Sequence, residues 1–210
     1  MIELYSAATF NGQRVTIMLE ETGVSYTPHW VNLARGEQHQ DAFLALNPSG
    51  RIPVLVKRDN DRSPPLVITQ STAILQFLAE QTGQFLPQSL SARIKVYEWM
   101  HFHAIDIGSV MFTAFYLKRR CTPQQIQASE LLSLRIHELY SFFDQQLAKQ
   151  PFLAGSEYSI ADITAFPAVF SLRQSLTDYP NLMRWMQQLN QRPAVQRGMS
   201  IPEKEAGHAD

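Results

Sequence analysis

Apolar residues recur along the chain in two rhythms. Ile2-Glu3-Leu4-Tyr5 alternates apolar and polar positions, as a half-buried strand does. After Asn11-Gly12 the spacing becomes helical: Val15, Met18, Leu19 and Thr22 fall on one face, and Gly23 stops the helix. Residues 26–31 read as a second strand. A helix between two strands predicts a parallel βαβ unit with a right-handed crossover. Residues 42–46 form a short helix closed by the turn formers Asn47-Pro48-Ser49-Gly50. Two apolar runs, Pro53-Val54-Leu55-Val56 and Leu66-Val67-Ile68-Thr69, flank a polar stretch and predict an antiparallel hairpin. Another helix follows, with Ser71 as N-cap, Ile74, Leu75 and Leu78 on its apolar face, and Gly83 as its stop.

The order βαβ, α, ββα matches a thioredoxin-like layer of sheet and helices over residues 1–83. Residues 84–90, with Pro87, read as a linker. From 91 to 210 the pattern is helical, which predicts a bundle as a second domain. Thr122-Pro123 has the form of a helix entrance, cap then first-turn proline, leading into Ile126, Leu132, Ile136, Leu139, Phe143 and Leu147. Ser159-Ile160-Ala161-Asp162 has the spacing of a capping box, which stabilises a helix start and does no chemistry. The tail from residue 202 is polar.

Composition narrows the function classes. The 210 residues are 45% hydrophobic and 18% charged with a net charge of −1, an ordinary globular balance. Such a chain has no bulk positive field for a phosphate backbone, so nucleic-acid binding is not expected. Cys121 is the single cysteine. It has no intramolecular partner, and neither a CxxC pair nor a Cys/His zinc set exists, so no metal is expected and a reducing compartment fits. The start lacks a signal-peptide pattern and no stretch has the length of a membrane span, so the expected location is cytoplasmic. His101 and His103 are two apart and do not share a helical face, which argues against a metal pair.

A thioredoxin-like domain with its own redox chemistry carries a reactive cysteine just after the first strand. Here that loop is Ser6-Ala7-Ala8-Thr9-Phe10-Asn11. If the domain handles sulfur, the thiol arrives with a ligand. Thr9 and Asn11 offer a hydroxyl and an amide near a helix N-terminus, where the positive dipole end favours an anion such as a thiolate. A free thiol of pKa about 8.5 is only about 3% ionised at pH 7, so two hydrogen bonds there matter. Taken alone, Asn11 also reads as an N-cap and Thr9 as a turn residue. Tyr5 and Ser6 are rival hydroxyls, Tyr5 reading more simply as core. Cys121 follows Lys118, Arg119 and Arg120, a run that also suits a helix C-terminus. Ile52-Pro53 stands at the mouth of a strand, and Gln70-Ser71 at a helix start offers a carboxylate site or an ordinary cap.

Asn47-Pro48-Ser49-Gly50-Arg51-Ile52-Pro53-Val54-Leu55, Gln70-Ser71-Thr72-Ala73-Ile74-Leu75 and the capping segment Ser159-Ile160-Ala161-Asp162, in this domain order, resemble the cytosolic glutathione transferase superfamily along essentially the whole chain. Thr9-Phe10-Asn11-Gly12 with Arg14-Val15, and Gly36-Glu37-Gln38 downstream, resemble its bacterial Nu-class and related disulfide-bond oxidoreductases. The resemblance implies the two-domain glutathione transferase fold, glutathione as co-substrate, no metal and a homodimer. It implies Asn11 and Thr9 beside the glutathione sulfur, the cysteinyl backbone on Ile52 before a cis-Pro53, the γ-glutamyl carboxylate at Gln70 and Ser71, and the glycine end near Gln38 and Arg51. Many relatives carry Glu or Asp where this chain has Gln70, so the glutathione ammonium loses a charge partner there.

The implied activity is reduction of small or mixed disulfides by thiol–disulfide exchange, with glutathione or its disulfide bound. Conjugation of glutathione to small electrophiles is the rival within the same class. A non-enzymatic binding or regulatory module is the rival from another class, since fold alone does not give function. Trp99, Met100, Phe102, Met111, Phe112, Phe115 and Tyr116 lie on the helix that in relatives borders the second-substrate groove, and are also ordinary packing residues.

Overall fold

A computed structural model describes residues 1–59 and 63–201; the polar tail from residue 202 lies outside them. The chain divides into two compact units, Met1–Gln84 joined by the segment from Asn190 on, and Phe85–Leu189.

The first unit holds strands β1 (Ile2–Ser6), β2 (Thr27–Trp30), β3 (Val54–Lys57) and β4 (Leu66–Ile68), with helices α1 (Phe10–Thr22), α2 (Asp41–Leu44) and α3 (Ser71–Thr82). The sheet order is β2-β1-β3-β4. β1 and β2 run parallel, with Ser6 opposite Trp30, as the intervening helix requires. β3 runs antiparallel to both β1 and β4, with Tyr5 opposite Val54 and Leu55 opposite Ile68. This is the expected thioredoxin-like order.

Alternation along β1 sorts its side chains between two faces. Tyr5 packs on the α2 side with Val31, Phe43, Val54, Val56, Leu46 and Ile52. That leaves Ile2, Leu4 and Ser6 on the other face, all buried. α1 packs against α3 and against the last helix, α9 (Pro193–Ser200). α1 and α3 end at Gly23 and Gly83, both left-handed. Glycine takes that conformation without the steric cost of a Cβ, so both predicted stops terminate as the sequence indicates.

α9 belongs with the first unit, whereas the sequence grouped everything after residue 91 together. The reason is a close approach: a Cβ at Gly198 would lie 2.5 Å from Ile17 Cα on α1. Thr16 donates to the Gly198 carbonyl, and Gln13 Nε2 donates to the Met199 carbonyl at 3.0 Å. Arg192 grips Glu21 with two bonds of 2.6 and 2.8 Å, and Arg197 Nε meets Glu20 at 2.7 Å.

The second unit is helical: α4 (Leu90–His101), α5 (Gly108–Arg119), α6 (Ile126–Leu147), α7 (Ile160–Leu172) and most of α8 (Pro180–Asn190). α7 is buried from Ile160 to Val169, on all sides of the helix, which makes it the core of the bundle. The expected capping box is formed: the Asp162 carboxylate accepts from Ser159 N–H and the Ser159 hydroxyl, and Ser159 caps Ala161. Asp162 also accepts from Leu153 N–H at 3.0 Å and Trp185 Nε1 at 2.8 Å. Burial pushes its carboxyl above the usual range, against the pull of those bonds.

Two local expectations change. Thr122-Pro123 is not a helix entrance: α6 begins at Ile126 with Gln125 as its N-cap, and the Thr122–Pro123 bond is cis. Residues 120–125 instead fold back over the end of α5, with Arg120 and Cys121 N–H groups on the Tyr116 carbonyl and Gln125 N–H on Leu117. Between α4 and α5 the chain widens into a π-helical stretch, Phe102–Ile107. It turns His103 inward, 1% exposed, with Nε2 3.3 Å from Tyr140 Oη. His103 is therefore a core residue.

Candidate functional site

Sheet topology brings every predicted site residue of the first unit to one edge. The parallel strands β1 and β2 end there, and because β3 is antiparallel to β1 it begins there, while β4 ends there. So the loop carrying Thr9 and Asn11, the segment of Gln38, the approach through Arg51, Ile52 and Pro53, and the exit to Gln70 and Ser71 share one end of the sheet.

The chain turns from β1 into α1 through Ala7, Ala8 and Thr9. Thr9 N–H donates to the Ala7 carbonyl at 2.7 Å, and Thr9 Oγ1 accepts Gly12 N–H at 3.2 Å. Thr9, in an extended conformation, is the N-cap. Asn11 is the second residue of the helix and is exposed, which corrects its reading as the cap. A Cβ at Gly12 would overlap the Ala7 carbonyl oxygen and Ser6 Oγ, so the loop lies on the first turn only because position 12 has no side chain. The same packing leaves Ser6 1% exposed, with its hydroxyl facing the Ala7 carbonyl at 3.5 Å, closed to a ligand. Thr9 is half-buried and spends one lone pair on Gly12, so its O–H proton remains to donate. The first turn of α1 contains no acidic residue to offset the positive helix end.

Tyr5 stays a neutral phenol and is no base for a thiol proton. It stacks on His29, ring centroids 4.5 Å apart, and burial with the nearby Glu3 carboxylate pushes its phenol above the ordinary tyrosine range. A group that activates a thiol as its anion needs the opposite shift.

Asn47 builds the turn before β3. Its Nδ2 donates to the Arg51 carbonyl at 2.6 Å, and its Oδ1 accepts Ser49 N–H and the Ser49 hydroxyl at 3.1 and 2.8 Å. Gly50 sits at φ +61, and a Cβ there would lie 2.8 Å from His39 Nδ1 and 3.3 Å from the Gln38 carbonyl. This contact sets the 3-10 turn Glu37–His39 against the Asn47 turn, so Gln38 and Arg51 share a corner. His39 was missed by sequence reasoning, and only the close approach at Gly50 reveals it. Arg51 is exposed, Ile52 half-buried and Pro53 buried, and the Ile52–Pro53 bond is cis.

At α3 the N-cap is Gln70, which makes no side-chain cap bond; Ser71 is the first helical residue. Ser71 is thus not the cap its position suggested. Its Oγ instead accepts from Arg14 Nη1 at 3.3 Å, with both residues buried. Arg14 was given no role from sequence. The available signal was a lone cation among the buried positions Gly12, Val15, Thr16 and Ile17 of α1.

In the second unit Met100 is fully buried and Trp99 packs against Phe102 and Phe143, so these serve the core. Phe112, Phe115 and Tyr116 on α5 are about half exposed. Cys121 is a free, part-buried thiol at the turn after α5. Among the described residues no group of three or more His, Cys, Asp or Glu could hold a metal ion. No described helix is long and apolar enough to cross a membrane.

A thioredoxin-like sheet followed by an all-helical unit is the architecture of the glutathione transferase class, and the chain belongs to the glutathione S-transferase family. It matches that family's N-terminal domain over residues 11–81 and its C-terminal domain over residues 109–193. It is 35% identical to the disulfide-bond oxidoreductase YghU of Escherichia coli, over 95% of this chain and 74% of that protein. Among solved structures it resembles a glutathione transferase of Burkholderia graminis with two glutathione molecules bound per subunit, at TM-score 0.88 and 31% identity, covering 97% of this chain and 89% of that one. A glutathione transferase of Pseudomonas putida with one glutathione disulfide bound per subunit matches at TM-score 0.86 and 30% identity, over 96% and 91% of the two chains.

Proposed function

We propose that the protein binds glutathione at this edge of the sheet, stabilises its thiolate, and reduces small or mixed disulfides with it. The observation that carries the reading is the start of α1, where the Thr9 hydroxyl and the Asn11 amide stand at an uncompensated helix N-terminus in a loop with no cysteine. Two donors and a positive dipole end lower the free energy of a bound thiolate, while too deep a depression of its pKa would cost nucleophilicity. The bound glutathione sulfur attacks one sulfur of a disulfide; the S–S bond breaks, a mixed disulfide forms, and the other sulfur leaves as a thiolate. A second glutathione thiolate attacks the glutathione sulfur of that mixed disulfide. Glutathione disulfide forms, the remaining thiolate leaves, and no protein cysteine is needed. The two glutathiones and the glutathione disulfide held by the Burkholderia and Pseudomonas relatives are the reactant and product this sequence requires.

In this reading Ile52 ahead of Pro53 carries the cysteinyl backbone, Gln70 and Ser71 the γ-glutamyl carboxylate, and Gln38 and Arg51 the glycine carboxylate. A guanidinium and a helix start complement the two acidic ends. The working unit is a homodimer: α6 presents Leu131 and Leu134, 68% and 64% exposed, with Phe142 along one strip that a second copy would cover. The single cysteine and the need for reduced glutathione suit the cytoplasm.

The test is a paired assay of 2-hydroxyethyl disulfide reduction and of conjugation to chlorodinitrobenzene, with calorimetric binding of glutathione and its disulfide. Fast reduction with feeble conjugation is expected, and Cys121→Ser should leave it nearly unchanged. The reverse pattern makes the protein a conventional transferase, a large loss in Cys121→Ser means the chain supplies its own thiol, and neither activity nor binding leaves a non-enzymatic module.

A further inference from the structure

We propose that Arg14 is a positioning residue for the carboxylate end of the site: by donating to Ser71 Oγ it turns the serine proton outward, toward a bound carboxylate, and sets a permanent positive charge behind it. The proposal rests on the reading that the γ-glutamyl carboxylate binds at Ser71. Arg14 is 5% exposed and Ser71 8%, and Nη1 stands 3.3 Å from Oγ. A serine hydroxyl has one proton and two lone pairs. With a lone pair taken by the guanidinium N–H, Ser71 acts toward a ligand as a donor, and the nearby cation strengthens that donation.

The surroundings point the same way. The first turn of α3 contains no acidic residue and Gln70 makes no side-chain cap bond, so the helix start adds its own partial positive charge at Ser71. Gln70 is neutral, so at this corner the carboxylate, and not the ammonium, is what the Gln70–Ser71 pair and Arg14 recognise. A guanidinium is not deprotonated in a protein, so its charge is fixed. Arg14 follows Asn11 by three residues on α1, which sets both side chains along one strip of the helix. One helix therefore serves both the sulfur end and the carboxylate end of the ligand.

The test measures binding of glutathione, and of the analogue in which γ-aminobutyrate replaces the γ-glutamyl residue and so removes its α-carboxylate. Both are titrated calorimetrically into the wild type, Arg14→Gln, Arg14→Lys, Ser71→Ala and the Arg14→Gln/Ser71→Ala double variant, with circular dichroism melts as the fold control. Arg14→Gln is expected to weaken glutathione by about tenfold or more while leaving the analogue within about twofold. The double variant should lose no more than Ser71→Ala alone, because the arginine acts through the serine. An Arg14→Gln protein that binds glutathione like the wild type, that loses both ligands equally, or whose loss multiplies with that of Ser71→Ala overturns the proposal. If Arg14→Gln does not fold, Arg14→Lys decides: the preference for glutathione over the analogue should shrink, and an unchanged preference overturns the role. A wild type that binds no glutathione at all overturns the function reading itself, and this proposal with it.

Discussion

Asn47 Nδ2 holds the carbonyl of Arg51 at 2.6 Å, tying the two ends of the turn that delivers the chain to Ile52. The other end of the same amide takes Ser49 N–H and its hydroxyl, so one small side chain sets a five-residue turn. Asn47→Ala removes all three bonds and leaves a buried site without its acceptor and donor. The expected loss is about 1–3 kcal/mol of stability in urea melts, with a raised KM for glutathione and a smaller change in kcat. An unchanged KM would detach this turn from ligand binding.

Thr9 and Asn11 separate by readout. Thr9 caps α1 and, in the proposed function, also donates to the glutathione sulfur, so Thr9→Ala should cost about 1 kcal/mol of stability in addition to activity, while Thr9→Ser should retain both. Asn11 is exposed and is not the cap, so Asn11→Ala should leave the melting temperature within about a degree, yet lower disulfide turnover more than tenfold, the size of a lost charge-assisted donor. Matching losses of stability and rate in Asn11→Ala would make it a structural residue.

The raised phenol of Tyr5 gives a sign that can be checked. A phenol whose pKa lies above its usual value stays protonated through neutral and mildly alkaline pH, so it supplies no anion to draw a thiol proton there. Tyr5→Phe is expected to leave the pH–rate profile of disulfide reduction in place between pH 6 and 9. A shift of that profile would return Tyr5 to the mechanism.

Much of this architecture can be read from residue spacing, because strand alternation and helical periodicity are local properties of the chain. β1, α1 and the β3–β4 pair follow their apolar positions, and Gly23 and Gly83 stop their helices at the expected residues. Ser159 and Asp162 lie within one turn and form their capping box as spaced. The shift of the α1 cap from Asn11 to Thr9 was less legible, since either side chain can cap; the fit of Gly12 under Ala7 decides it. Arg14 and Ser71 are 57 positions apart, and their pairing exists only once α1 and α3 lie side by side. The inward turn of His103 depends on a π-helical register that no local pattern announces.

The docking of α9 on α1 is far from any local pattern and is vulnerable to a single methyl group. Gly198 lies where any side chain would press on the backbone of Ile17, with Cβ positions 2.5 and 2.6 Å from its Cα and N. Backbone cannot yield as the end of a flexible side chain does, so Gly198→Ala should separate the helices and weaken the Thr16 and Gln13 bonds that cross between them. Overpacking of this kind costs about 1–3 kcal/mol. Because Gln13 lies one turn beyond Thr9, the expected signature is a lower melting temperature together with a fall in disulfide turnover. Glu21→Gln, which weakens only the Arg192 pair at the far end of α1, should lower stability and spare turnover. Equal turnover losses in the two variants would mean that α9 supports the fold as a whole and not the placement of the helix start.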